Sequence, residues 1–178
     1  MDDHIRLCDD KKIVAFIADL YEKAGVDRET AELHGVGLVE ASLRGVDSHG
    51  IMRTAAYFER YRKKAINVKP DIKVVAGEKA FVVMDADNAS GFVASRYAME
   101  HALMLAREYH IAAVCVKNSN HFGAAALYAP VSYTHLDVYK RQSVLCDEHC
   151  FDGTAVQLLF GRSGAGGAVV SCACGLCA

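Results

Sequence analysis

Two short stretches hold the side chains able to move a proton and grip an anion. The first is Leu43-Arg44-Gly45-Val46-Asp47-Ser48-His49-Gly50-Ile51-Met52-Arg53. Asp47 and Ser48 are good helix N-cap types, so the pattern predicts a helix starting at Ser48 or His49. His49 and Arg53, four residues apart, would then share one helix face. A helix N-terminus adds N–H donors and partial positive charge. Imidazole, guanidinium and helix N-terminus together suit a small anion that undergoes proton transfer. The plainer reading makes these ordinary polar residues at a helix start. The second stretch is Asn118-Ser119-Asn120-His121-Phe122-Gly123, directly after an apolar run. Ligands of α/β sheets bind where strands end in loops at the carboxyl edge. Here the plainer reading is an asparagine-rich turn capping a helix over Phe122–Tyr128.

The flanking pattern predicts the elements that must carry these residues. Ile13, Phe16, Ile17, Leu20, Tyr21 and Ala24 recur at helical spacing, with Gly25 as the C′ residue. Asp27 caps a second helix running to about Leu43, with Ala31, Leu38, Val39 and Ser42 on one face. A third helix passes through Ala55, Phe58 and Tyr61. Beyond Pro70 the pattern becomes strand-like, at Ile72–Val75 and Phe81–Asp85, with Gly77 in the turn between them. Asp87–Gly91 reads as a loop. A long helix follows from Phe92 to Tyr109, its buried face at Val93, Tyr97, His101, Met104 and Leu105 or their neighbours. Ile111–Val116 is an unbroken apolar strand, expected to be covered on both faces. Strand, helix, strand predicts a crossover unit with parallel strands.

Composition excludes several classes of function. Lys and Arg number 20 against 22 Asp and Glu, a net charge of −2, so neither a nucleic-acid partner nor a basic membrane contact is expected. The acidic start, Met1-Asp2-Asp3-His4, lacks an apolar h-region, and no secretory signal is expected. No apolar run reaches the length of a bilayer span. Of the seven cysteines, Cys8 and Cys115 stand alone in the first two thirds, which suits a reducing cytoplasm.

Taken together, Arg44-Gly45-Val46-Asp47-Ser48-His49-Gly50 and Asn118-Ser119-Asn120-His121-Phe122-Gly123-Ala124 resemble the type-2 malate/L-lactate dehydrogenase family. That family includes ureidoglycolate and sulfolactate dehydrogenases and diketogulonate reductase. The Asp85-Ala86-Asp87-Asn88 segment and its following helix fit the same pattern. The resemblance covers about Lys11 to Ala129. It implies an NAD- or NADP-dependent oxidoreductase acting on small 2-hydroxy or 2-keto acids, as a homodimer when complete. It places the family's histidines on His49 and His121 and its substrate-binding arginine on Arg53. Ser48 and Asn120 would orient the imidazoles or the substrate hydroxyl. The cofactor-binding residues stay unassigned, and no metal is implied. The chemistry agrees: histidine titrates near neutrality and serves as acid or base. Arginine grips a carboxylate with two parallel hydrogen bonds. The implied fold is α/β (α+β): N-terminal helices over residues 1–70, then the start of a non-Rossmann α/β sheet domain over 71–129, truncated. No strand-G-x-G-x-x-G-helix occurs here, in keeping with that fold.

Residues 130–178 read differently. Val131–Gln142 have neither helical nor strand period, and they can be encoded by an inverted-repeat DNA. That DNA resembles two transposase adapter ends from library preparation, joined head to head. We therefore expect residues 130–142 to be an assembly artefact. Residues 143–178 are expected to be an out-of-frame or unrelated tail, poorly packed against the rest, and the chain as it stands to be inactive. Gly161–Gly167 lacks both the dinucleotide glycine order and the Lys-Ser/Thr of a phosphate loop. Cys146, His149, Cys150, Cys172, Cys174 and Cys177 lack paired C-x-x-C knuckles. Two other readings of the whole chain compete with the enzyme. One is a non-catalytic helical dimerisation or binding module with structural His49 and His121. The other is a small zinc-binding protein using the tail cysteines.

Overall fold

The computed structural model describes residues 7–109, 112–124 and 127–128, and the backbone of two strands, 154–158 and 170–173. The chain divides into two compact units, Met1–Ala65 and Ile66–Ala178.

The first unit is helical. Asp9 accepts a hydrogen bond from the Lys12 N–H and starts α1, Asp10–Glu22. Asp27 accepts from the Thr30 N–H and starts α2, Arg28–Leu43. Each bond satisfies an amide that the first helical turn leaves without a partner. Gly25 takes the expected C′ place, its N–H donating to the Glu22 carbonyl and that of Val26 to Tyr21. The third helix, α3, spans Thr54–Arg62. The core holds Ile17, Ala18 and Tyr21 of α1, His34 and Leu38 of α2, and Tyr57 and Tyr61 of α3.

His34 is the unexpected member of this core. It is 0% exposed, and the rings of Tyr21, Tyr57 and Tyr61 stand against it at 5.3, 5.4 and 5.5 Å. Its Nε2 and the Tyr61 hydroxyl are 2.8 Å apart. Tyr21, its own ionisation pushed upward chiefly by burial and next by Tyr61 and Tyr57, donates its hydroxyl to the Thr54 carbonyl. Ridge packing of tyrosines on one imidazole thus joins all three helices.

Lys64 ends α3 in the left-handed region, φ 56°. The Ala65 N–H reaches Arg60, and the Lys64 N–H reaches Tyr61, the paired bonds of a Schellman ending. A side chain there crowds the following carbonyl. Lys64→Gly should therefore stabilise the chain by about 1 kcal/mol, read as a higher midpoint in urea unfolding with an unchanged slope.

The second unit is built on a sheet. Strands β1, Lys73–Glu78, and β2, Phe81–Ala89, form an antiparallel hairpin in which Glu78 faces Phe81. The turn is Lys79-Ala80, not Gly77: Gly77 lies in β1 opposite Val82, at φ 92°. From β2 the chain enters α4, Gly91–Tyr109, and returns as β3, Ala113–Ser119, parallel to β2. This is the expected crossover unit. Of the segment Asp87–Gly91 expected to be a loop, Asp87–Ala89 instead form the end of β2. There Asp87 and Asn88 take positive φ, and the register with β3 shifts between Asp85 and Ala89. Asp and Asn tolerate that region because their short polar side chains bond locally.

The buried face of α4 is rotated by about one residue from its expected centre. Ala94, Ala98, Met99, Ala102, Leu105 and Ala106 face the sheet, whereas Tyr97 and Met104 are half exposed. Small alanines let the helix approach β2 and β3 closely, and the larger residues remain outside. In β3, Val114 and Val116 are fully buried and Cys115 is half-buried, its thiol held protonated to higher pH by burial. Ile111, included in the expected strand, lies outside the described residues.

Two further strands, β4, Thr154–Leu158, and β5, Val170–Ala173, extend the sheet in the order β1-β2-β3-β4-β5. β4 pairs antiparallel with β3 through Val116–Val156 and Lys117–Thr154. The tail thus adds backbone ladders where little packing was expected. A strand edge offers a row of backbone donors and acceptors to any extended segment, so pairing alone does not identify the partner as native sequence.

Candidate active site

Ser48, His49 and Arg53 come together in the helical unit, though not on one helix face. Asp47–His49 and Ile51–Arg53 form separate 3-10 turns, and α3 begins only at Thr54. The break is at Gly50, where φ is −94° and ψ −150°. Its cause is Ser42 on α2, whose Oγ accepts the Ile51 N–H at 3.0 Å. A Cβ on Gly50 would collide with that same oxygen. The expected helix N-terminus at Ser48 is thus replaced by two turns pinned to α2.

Ser48 is the hub of this cluster. Its Oγ lies 2.9 Å from Nδ1 of His49, and its carbonyl accepts Nε–H of Arg53 at 2.8 Å. The Arg53 bond uses the inner edge of the guanidinium, and the side chain is exposed. Its two terminal nitrogens are the pair suited to an end-on carboxylate. The turn itself is set by the ending of α2, where the Gly45 and Val46 N–H groups donate to Ser42 and Ala41.

The second histidine belongs to the sheet unit. His121 follows β3 directly and is half-buried. Its Nδ1 accepts the Gly123 N–H at 3.3 Å, so the neutral ring carries its proton on Nε2. Phe122–Ala124 are not helical, and the Leu127 N–H instead closes a turn onto Ala124. Tyr128 donates its hydroxyl to the Phe122 carbonyl at 2.5 Å.

Asn120 does not point its amide nitrogen towards a substrate. It is 7% exposed, and the two hydrogens of Nδ2 are shared among the Asn88 carbonyl, Asn88 Oδ1 and the Ala89 carbonyl, at 3.1, 2.9 and 2.9 Å. Gly91 opens α4 against this segment, and a Cβ there would collide with the carbonyls of Asn120 and His121. Asparagine next to a histidine resembles a ligand contact in sequence. The partners that turn it inward lie 31 and 32 residues away.

Beside this strand end lies an open polar cleft of about 550 Å³, lined by Asp71, Lys73, Asp85, Asp87, Asn88, Asn118 and Ser119. Its carboxylates are already engaged. The Asp87 N–H, then Lys117 and Asn118, hold Asp85 below the usual carboxylate range. Asp87 accepts from Asn67 and from the Asp71 N–H. Among the described residues no group of three or more His, Cys, Asp and Glu is placed to hold a metal. Gly161–Gly167 and Cys146, Cys150, Cys174 and Cys177 lie outside the described residues, and Cys172 is described only as backbone of β5. The β2–α4 junction does not fit a dinucleotide phosphate, because the space at Gly91 is taken by the Asn120 and His121 backbone. No helix among the described residues is long and apolar enough to cross a membrane.

The helical unit thus carries a Ser-His-Arg cluster, and the α/β unit carries a histidine just beyond the carboxyl end of a parallel strand. The chain belongs to the malate/L-lactate dehydrogenase family, whose model matches residues 8–133. It is 33% identical over 128 residues to malate dehydrogenase of Pyrococcus abyssi, covering 72% of this chain and 35% of that protein. It is 38% identical over 116 residues to L-sulfolactate dehydrogenase of Methanocaldococcus jannaschii, covering 65% and 34%. To ureidoglycolate dehydrogenase (NAD(+)) of Escherichia coli K12 it is 35% identical over 106 residues, covering 60% and 30%. The solved malate dehydrogenase of Entamoeba histolytica superposes with a TM-score of 0.68 at 31% identity, covering 72% of this chain and 36% of that one. That of Pyrococcus horikoshii OT3 superposes at 0.73 and 26% identity, covering 97% and 51%. The chain spans about a third of the length of the curated relatives it matches.

Proposed function

We propose that this chain is the substrate-holding, proton-moving part of a nicotinamide-dependent oxidoreductase that interconverts small 2-hydroxy and 2-keto acids. The Ser48–His49–Arg53 cluster carries this reading, because one serine ties an imidazole to a guanidinium. Arg53 binds the substrate carboxylate through its terminal nitrogens. His49 and His121, one in each unit, are the two candidate acid–base groups. Ser48 orients both His49 and Arg53. NADH or NADPH supplies the hydride. Localisation in the cytoplasm and a homodimeric complete protein belong to the same proposal, supported by the family resemblance. A non-catalytic binding module would not require this alignment of Ser48 on both neighbours.

The native continuation after Ala129 is proposed to differ from residues 130–178, on the inverted-repeat coding pattern of Val131–Gln142. Sequencing the source DNA across Ala129 tests this directly. An unbroken read from genomic DNA through Gln142 would remove the proposal.

The functional test joins residues up to Ala129 to the remaining length of a family relative. That complete protein should consume NADH or NADPH in proportion to added 2-keto acid, and the 178-residue chain should not. In the complete protein, Arg53→Ala should raise KM tenfold or more with a smaller loss of kcat, since a carboxylate clamp binds ground and transition states alike. An unchanged KM would remove Arg53 from the substrate site.

A further inference from the structure

Resting on the reading of His121 as a group that serves the substrate, we infer that Asn120 is a positioning residue that holds His121 in its Nε2–H tautomer by clamping the end of β3 to the end of β2. Three observations meet here. The Asn120 side chain is 7% exposed and gives its amide nitrogen to three acceptors on Asn88 and Ala89. Its backbone N–H gives a fourth bond to the Ala89 carbonyl, at 3.1 Å. Gly91 admits the Asn120 and His121 carbonyls against the start of α4 where any Cβ would exclude them.

The parallel ladder needs this clamp. Regular pairing of β2 with β3 stops at Asp85–Lys117 and resumes only at Ala89–Ser119. Across that gap Asp87, Asn88 and Asn118 all take positive φ. Backbone pairing is therefore interrupted just before His121, and Asn120 supplies side-chain bonds in its place. Held on one side by Asn120 and Gly91, the chain turns at Gly123, φ 79°, with Phe92 packed beneath it. That turn aims the Gly123 N–H at Nδ1 of His121. A neutral imidazole accepting at Nδ1 carries its proton on Nε2, which is then a donor. Losing the clamp frees the turn, and the ring then samples both tautomers.

Nitrogen-15 NMR of the imidazoles in the 178-residue chain at pH 8 tests this without any turnover. Wild type should show His121 with a protonated Nε2 and an unprotonated Nδ1. Asn120→Ala, with unchanged far-ultraviolet circular dichroism, should lose that single-tautomer pattern and show averaged nitrogen shifts. Asn118→Gly suits its positive φ, removes the amide bonded to Asp85 and leaves Asn120 in place. It should leave the His121 pattern as in wild type. A His121 pattern unchanged in Asn120→Ala, or changed equally in Asn118→Gly, overturns the inference. Should Asn120→Ala not fold, wild type still decides. Contacts between the Asn120 amide protons and the Hα protons of Asn88 and Ala89 must appear in its nuclear Overhauser spectrum, and their absence overturns the clamp. A tautomer that depends on Asn120, together with full activity of His121→Ala in the complete protein, would keep the clamp and remove the catalytic reading.

Discussion

In the complete protein, His49→Ala and His121→Ala should each lower kcat with a 2-keto acid by on the order of a hundredfold or more, the usual cost of losing a general acid or an aimed donor. The two losses should differ in their pH dependence. His49 is bonded through Nδ1 to the Ser48 hydroxyl, which can accept or donate. His121 accepts an amide N–H at Nδ1, which suits the neutral form alone. Removing the proton carrier should abolish the pH dependence of kcat near neutrality, and removing the fixed donor should lower kcat at every pH. Circular dichroism on both variants separates loss of chemistry from loss of fold. Near wild-type rates in both would favour the non-catalytic binding module.

The second large effect is on stability, and it comes from His34. Burial pushes this imidazole down to about 3 from its ordinary value of 6.5. The rings packed on it are Tyr21 from α1 and Tyr57 and Tyr61 from α3, and burial is the cause of the shift. The folded state therefore keeps His34 neutral at pH values where the unfolded chain protonates it. The unfolded state binds more protons, so stability rises with pH. The contribution is fully present above about 6.5 and lost as pH falls towards about 3. At its steepest the slope is about 1.4 kcal/mol per pH unit, one proton's worth. Summed over the window it reaches up to about 5 kcal/mol, comparable to the whole stability of a small domain. Carboxylates held low, such as Asp85, act in the same direction at more acid pH, so the His34 contribution is read from pH 6 to 5 as the difference between wild type and His34→Gln. Urea unfolding of wild type should weaken across that interval, and His34→Gln should flatten the slope. Equal slopes in the two proteins would place the acid sensitivity elsewhere.

Much of this fold could be read from local signals. Asp9 and Asp27 cap the first two helices because a short carboxylate reaches an amide three residues on, a relation contained within a few residues. The β2–α4–β3 crossover follows from apolar runs separated by one long amphipathic helix. Both motif histidines and Arg53 were visible as residue types that do this chemistry. What stayed hidden depends on distant partners. Ser42 breaks the helix expected at Ser48 through one hydroxyl that accepts the Ile51 N–H nine residues on. Asn120 turns inward because Asn88 and Ala89 lie across the sheet. His34 looks like a surface residue in an alternating helical stretch until three tyrosines from two other helices enclose it. Gly77 resembles a turn residue, yet Lys79 takes the positive φ and Gly77 stays in the strand.

The proposed chemistry is hydride transfer between a nicotinamide and carbon 2 of a small keto acid, with Arg53 as the carboxylate-binding group and His49 and His121 as the candidate acid–base groups. The direct measurement is isotopic. The complete protein is given a 2-keto acid with NADH or NADPH carrying deuterium at the transferring C4 position, and the product is examined by mass spectrometry and NMR. We predict a 2-hydroxy acid with one deuterium bonded to carbon 2, formed by wild type and greatly diminished in His49→Ala and His121→Ala. A folded complete protein that yields no labelled hydroxy acid from any small 2-keto acid, with either nucleotide, would contradict the account.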